Sequence, residues 1–259
     1  MAQTHPDPVL QATDVTKRFG GVVAVNGMSL AVHRGEILGL IGPNGAGKTT
    51  MFDLLAGSVA VSSGSIRLNG VEVAGSPAHR RIAQGLGRTF QIPRPFAGLT
   101  LVENLLIARQ HQTGERLWPN FSAWRRIAAE ERAARDKARG LLDLVRLSHL
   151  AGEPASVLSG GQRKLLELAR LLMADPQVIL LDEPAAGVNP SLLEVIIDRI
   201  RAINAGGVTF LLIEHNIDMV TRLCHRVIVM AQGARLAEGT AAEVARDPRV
   251  IEAYLGGAG

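Results

Sequence analysis

ILGLIGPNGAGKTT, residues 37–50, is the stretch on which the architecture turns. An apolar run through Ile37, Leu38, Leu40 and Ile41 leads into Gly42-Pro43-Asn44-Gly45-Ala46-Gly47-Lys48-Thr49-Thr50, and a helical pattern through Met51, Phe52, Leu54 and Leu55 follows. Gly42, Gly47, Lys48 and Thr49 take the defining positions of G-x-x-x-x-G-K-[ST], a phosphate-binding loop between a strand and a helix. Glycines let the backbone turn tightly and bring successive N–H groups to phosphate oxygens, and the helix start adds the positive end of its dipole. In this reading residues 42–50 cradle the phosphates, Lys48 reaches the outer ones, and the Thr49 hydroxyl sits on a bridging Mg²⁺.

Working outward, the 259 residues are enough for one large domain or two lobes. A 47% hydrophobic and 20% charged composition is that of a globular protein. No uninterrupted apolar run approaches the roughly eighteen residues of a membrane span. MAQTHPDPVL at the start lacks a charged segment followed by an apolar core, so no export signal is expected. The single cysteine, Cys224, has no internal partner and reads as a small buried apolar residue. A net charge of +4 is spread among interleaved acids, and only 3% of residues are aromatic. Base stacking therefore has little to work with, and nucleic-acid binding is not expected.

Alternating patterns predict strands over 9–16, 28–32, 36–41 and 65–73, the last broken by Asn69-Gly70, a hairpin signal. They predict an antiparallel sheet beside the phosphate-binding core. Between 92 and 157 the pattern turns helical, with a capping box at Thr100 and Glu103 and an amphipathic run over 125–147. From 162 onward helices over 162–173, 190–203 and 217–223 alternate with strands over 178–181, 208–213 and 227–230, and Thr240 and Glu243 cap a last helix. This alternation predicts right-handed crossovers and a mainly parallel sheet.

Four further elements carry chemistry. Val178-Ile-Leu-Leu-Asp182-Glu183-Pro184 is a buried strand with two carboxylates at its tip, where Asp182 can hold the Mg²⁺ shell and Glu183 can polarise an attacking water. Ser159-Gly160-Gly161-Gln162 is a second glycine-rich helix start, able to offer a hydroxyl and N–H groups to an anion. Gln91 lies where the core gives way to the helical lobe, within reach of the metal or the attacking water. His215 follows an apolar strand and can reach the γ-phosphate from its end. Phe19, the only aromatic before the loop, reads as core or as a ring for an adenine base.

In this order and spacing, the phosphate loop, Gln91, LSGGQ, VILLDEP and IEH resemble the ATP-binding subunit of an ABC transporter across nearly the whole chain. The resemblance implies an α/β fold: a P-loop NTPase core with a mainly parallel sheet, an N-terminal antiparallel β subdomain and an inserted α-helical subdomain. One domain is expected over 1–259, with 1–91 and 166–259 as core and 92–165 as helical lobe. It implies ATP and Mg²⁺, with Lys48 and Thr49 on phosphates and metal, Gln91 as lobe-coupling glutamine and metal contact, and Asp182 on the metal. Glu183 would be general base, His215 the γ-phosphate switch, and Phe19 the adenine-stacking aromatic, usually a tyrosine in this family.

The resemblance also implies two such domains closing head to tail on two ATP molecules, each loop facing Ser159, Gly160 and Gly161 of the other subunit. A second ATPase chain, two membrane permease subunits docking near 91–109, and indirectly an external solute-binding protein are the expected partners, at the cytoplasmic face of the plasma membrane. Ala185-Ala-Gly-Val-Asn189-Pro190 departs from the family at Asn189, usually Asp; Asn189 suits an N-cap and Pro190 a first helical turn. That stretch, RTFQIPRPF, the segment 118–124 and the ending IEAYLGG are similar to the larger ATPase subunit of branched-chain amino acid importers. The alternatives are a lipopolysaccharide-type export ATPase, opposed by Asn189 and the segment at 118–124, and a soluble ABC ATPase of DNA repair or translation, which would carry long coiled-coil insertions or tandem cassettes.

Overall fold

The structure, a computed structural model, describes residues 7–89, 95–110 and 124–255. They pack as two compact units, one of Met1–Gln91, Pro176–Ala186 and Leu193–Gly259, the other of Ile92–Asp175 and Gly187–Leu192. The helix Gly160–Leu172 lies wholly in the second unit, whose long segment ends at Asp175, where the sequence reading ends the lobe at 165.

The first unit holds two sheets. In the antiparallel one the order is β2 (Val22–His33), β1 (Pro8–Phe19), β4 (Ser63–Leu68), β5 (Val71–Glu72). Asn69 and Gly70 turn the β4–β5 hairpin with φ of 52° and 76°, as the Asn-Gly signal requires. β1 and β2 run past the predicted ends because Lys17, Arg18, Phe19 and Val22 pair as an exposed ribbon, where alternation of burial no longer marks a strand.

The six-stranded sheet has the order β10 (Ala234–Gly239), β9 (Arg226–Ala231), β3 (Ile37–Ile41), β8 (Thr209–Ile213), β7 (Val178–Asp182), β6 (Leu86–Arg88). All pairs are parallel except β10 on β9. β6 and β10 are edge strands that the sequence reading omits; one is three residues long and the other only half-buried. In β3, β7 and β8 every residue is buried, which is why they read as continuous apolar runs.

Each parallel strand sends alternate residues to opposite cores. Leu38, Leu40, Ile228 and Met230 join α1 (Lys48–Ala56) and the inner face of the antiparallel sheet, whereas Ile41, Val227 and Val229 pack with Val244 and Val250. The first unit also contains α2 (Ala78–Ala83). Cys224 packs against Gly39, where a Cβ would stand 2.9 Å from its sulfur, and burial pushes its thiol up to about 12. It is the inert apolar residue expected.

The second unit is built on α3 (Leu101–Ile107), α4 (Trp124–Leu144) and α5 (Gly160–Leu172). Thr100 and Glu103 form the predicted capping box on α3. Fully buried Asn104 accepts from the Phe96 N–H and donates to the carbonyls of Phe96, Leu99 and Thr100, fixing the chain that enters the helix. Lys137 ties α4 to the chain after α5 through the Asp175 carboxylate at 2.6 Å and the Met173 carbonyl at 3.0 Å. Helix α6 (Pro190–Ala205) begins in this unit and ends in the first. Asn189 accepts from the Leu192 N–H at 2.9 Å, so the departure from Asp at this position serves as a helix cap.

Candidate functional site

Strand β3 delivers the chain at Ile41 into the glycine loop, which surrounds one side of a cavity of about 440 Å³. Asn44 through Thr50 line it together with Val22, Val23, Ala24, Gln232 and Gly233, and Glu183 and His215 complete its wall. Two glycines set the loop's path. A Cβ on Gly42 would lie 2.1 Å from the Met230 carbonyl oxygen and one on Gly47 2.3 Å from that of Ala24, and both residues have positive φ. No side chain fits there without moving backbone.

Lys48 is buried, and its ammonium donates to the carbonyls of Gly42 at 2.7 Å and Pro43 at 2.9 Å. Burial pushes its pKa below the usual lysine range, opposed by the charge of Glu183. Among the described residues the ammonium's hydrogen bonds go to neutral carbonyls, and a buried cation of this kind at a helix start is completed by an anion. The site thus fits the phosphates of a nucleotide, with Thr49 and Thr50 among the residues that line it.

Asp182 ends β7, 9% exposed, and burial pushes its carboxyl above the ordinary range against the opposing pull of Arg88, whose guanidinium stands 3.7 Å away. Arg88 is also paired with Asp53 at 2.6 Å. A desolvated carboxylate of this kind is relieved by a cation. Among the described residues no three metal-ligating side chains cluster. Mg²⁺, which takes one or two carboxylate or hydroxyl ligands plus substrate phosphates, fits Thr49 and Asp182 better than would a metal needing its own protein cage.

Glu183, next in sequence, has φ of 49°, an unusual conformation for a non-glycine residue that costs on the order of 1 kcal/mol. The turn aims its carboxylate at His215, with Oε1 2.5 Å from Nε2. The two predicted γ-phosphate residues are thus brought together at one cavity.

The other predicted residues stand as follows. Ser159 and Gln162 form a capping box at the start of α5, the Ser159 hydroxyl accepting from the Gln162 N–H and the Gln162 amide oxygen accepting from the Ser159 N–H. The Ser159 O–H keeps its proton to donate. Gly160 and Gly161 follow in the second unit, where a Cβ on Gly161 would strike Leu192 and one on Gly160 would meet nothing within 4 Å. Phe19 is half-exposed at the end of β1 with the Lys17 ammonium 4.8 Å from its ring, and it does not line the cavity. Gln91 lies outside the described residues.

Several contributors escaped the sequence reading. Gln232 and Gly233 turn the β9–β10 hairpin against the loop, Gly233 donating its N–H to the Ala46 carbonyl at 3.0 Å and accepting from the Asn26 N–H at 2.8 Å. Tyr254, on the last helix α9 (Pro248–Leu255; α7 is Ile217–Leu223 and α8 Ala241–Val244), lies by Gly42, whose backbone N–H partly offsets the upward push of burial on its hydroxyl. Buried Glu214 touches both site turns. The Gln-Gly dipeptide was a legible turn signal; the other two had none.

Comparison with known proteins agrees with this geometry. Residues 25–186 match the ABC transporter family and residues 234–259 the branched-chain amino acid ATP-binding cassette transporter family. The chain is 41% identical over 252 residues to the high-affinity branched-chain amino acid transport ATP-binding protein BraF of Pseudomonas aeruginosa, covering 96% of this chain and 98% of that one. It is 39% identical to a probable branched-chain amino acid transport ATP-binding protein, LivG, of Archaeoglobus fulgidus, covering 96% and 95%. Among solved structures, an ATP-binding cassette of an ABC transporter in its ADP conformation superposes with a TM-score of 0.83 at 35% identity, covering 96% of this chain and 99% of that chain. From its loop chemistry, its sheet order and these matches, the chain belongs to the ABC transporter family, as one of its ATP-binding cassettes.

Proposed function

We propose that this chain binds and hydrolyses ATP as the energising subunit of an importer for branched-chain or related amino acids. The observation that carries the hydrolytic part is the Glu183–His215 contact of 2.5 Å at the wall of the cavity that the glycine loop lines. The match of residues 234–259, with relatives named for branched-chain amino acid transport, supports import over lipopolysaccharide-type export.

In this reading Lys48 and the N–H groups of 44–50 hold the phosphates, and Ser159 to Gln162 serve the nucleotide of a second subunit. Thr49 and Asp182 would hold Mg²⁺, with Gln91 beside them; the ion supplies charge neutralisation on the β- and γ-phosphate oxygens. Glu183 draws a proton from the attacking water, whose oxygen bonds the γ-phosphorus as the bond to the β–γ bridging oxygen breaks, leaving ADP and phosphate. His215 steadies the γ-phosphoryl oxygens. Phe19, exposed on its ribbon, offers a face for the adenine ring. Both units make up one cassette over 1–259. It works with a second ATPase chain, two permease subunits and, through them, an external solute-binding protein, on the cytoplasmic face of the plasma membrane. Among the described residues no helix is long and apolar enough to cross a membrane, which suits a peripheral subunit.

Glu183→Gln keeps the side chain's shape and removes the base. Rapid-quench turnover is expected to fall about 100-fold or more, within the range for loss of a general base, with ATP affinity retained. Hydrolysis at the parent rate would remove Glu183 from the role. For the transport step, leucine uptake by proteoliposomes containing the chain and its permeases is expected to stop in the same variant.

A further inference from the structure

Glu214 separates β8 from His215 and is 3% exposed, yet no ion pair among the described residues includes it. A buried carboxylate without a cation is costly unless backbone donors satisfy it. Three do. Oε1 accepts the Ala185 N–H at 2.6 Å, and Oε2 accepts the N–H groups of His215 at 2.9 Å and Asn216 at 3.0 Å. These are charge-assisted bonds, about twice as strong as neutral ones.

Their placement is what gives them meaning. β7 and β8 pair in register up to Asp182 opposite Ile213, and the last backbone link is the Glu183 N–H to the Ile213 carbonyl at 3.0 Å. Beyond it the strands part into two turns, one carrying Glu183 and Ala185, the other His215 and Asn216. Past that link, Glu214 ties these turns together with one oxygen on each. Asn216 in turn caps α7 by accepting the Met219 N–H at 2.9 Å, so the second turn is anchored at its far end too. The Glu183 carboxylate and the His215 ring meet at 2.5 Å across the gap that Glu214 spans.

We infer that Glu214 is a positioning residue for ATP hydrolysis: its carboxylate clips the turn after β7 to the turn after β8 and so holds Glu183 and His215 at their working separation. The inference rests on the ATPase reading above. Glu214 does not line the cavity, so its effect is on placement of the two reacting groups, not on nucleotide capture.

The test uses the full-length chain with MgATP and two variants. Glu214→Gln keeps the reach but replaces one acceptor oxygen by an NH₂ that faces an N–H donor. Glu214→Asp keeps the charge but is one methylene short of spanning both turns. Misplacing reacting groups by about 1 Å costs roughly 100-fold, so each variant is expected to lose about 10- to 100-fold in kcat. The dissociation constant for a non-hydrolysable ATP analogue should stay within about threefold. In protein labelled with ¹⁵N-histidine, the ring correlations of His215, assigned by His215→Ala, are expected to move in both variants.

Parent-like kcat in both variants overturns the inference. So does a loss of kcat that follows the melting temperature while the His215 ring signals stay where they are, the mark of a merely structural residue. Failure of the ATPase reading looks different. The parent chain would then turn over no ATP, or Glu183→Gln would keep full activity, while the ring signals would still report whether Glu214 holds His215.

Discussion

Asp182 shows at the scale of one residue how this site stores a tension that its ligand relieves. Burial raises its pKa in the fold. The sign follows: stability from protonated Asp182 is fully present below the ordinary carboxylate pKa and is lost as pH rises through the elevated folded value. Ionising Asp182 in the nucleotide-free chain leaves a desolvated carboxylate beside Arg88. Asp182→Asn removes that charge and leaves Arg88 its pairing with Asp53. The variant is expected to melt a few degrees higher than the parent without nucleotide at neutral pH. The gain should shrink as pH is lowered through the folded pKa, and Mg²⁺ should no longer promote ATP turnover. Differential scanning fluorimetry across pH, with and without MgATP, checks both.

At the scale of elements, α1 is held at both ends by parts of the chain remote from it. Its start follows the loop wedged against the carbonyls of Met230 and Ala24. Its last turn meets Arg81, 1% exposed, whose guanidinium donates to the carbonyls of Leu54 at 2.6 Å, Leu55 at 2.7 Å, Ser76 at 3.0 Å and Ala74 at 3.1 Å. A cation at a helix C-terminus is favourably placed, and the planar five-donor head reaches four carbonyls, of which that of Leu54 also accepts the Gly57 N–H. Arg81→Met takes the donor from the carbonyls of Leu55, Ser76 and Ala74 at about 1–3 kcal/mol each, with local relaxation recovering part. A net loss of about 3 kcal/mol is expected, or roughly 6–12 °C in melting temperature for a chain of this size. Nucleotide affinity should fall with it, because α1 carries Lys48 and Thr49; calorimetric titration checks this.

At the scale of the whole molecule, the proposed cycle needs a second copy or a sister chain to supply the glycine-rich helix start. Gly160 isolates that requirement, since an added side chain there meets nothing of its own chain within 4 Å. Gly160→Asp leaves the fold intact, and a carboxylate at a helix N-terminus is if anything stabilising. Facing another subunit's γ-phosphate, the same charge repels. In a Glu183→Gln background, ATP is expected to drive association with the partner ATPase chain in sedimentation velocity. Adding Gly160→Asp is expected to abolish that association while each chain still binds ATP.

What the sequence by itself determined is everything that needs a residue type at a fixed spacing. Gly42, Gly47, Lys48 and Thr49 announce the loop because only glycine takes those backbone paths and only a long cation reaches from the first helical turn. The fully buried β3, β7 and β8 were legible as apolar runs, the capping boxes at Thr100 and Thr240 as side-chain pairs three residues apart, and Ser159 as a helix cap. Edge strands β6 and β10 were not, because a short or half-buried strand leaves no periodicity to read. The tertiary structure alone decided that Glu214 spans to Ala185, that Tyr254 reaches Gly42, that Gly233 braces Ala46 and that Arg81 closes α1. Each of these contacts ends on a backbone N–H or carbonyl. Since nearly every residue has one, the partner leaves no mark in the sequence, and only the folded chain says which of them comes within reach.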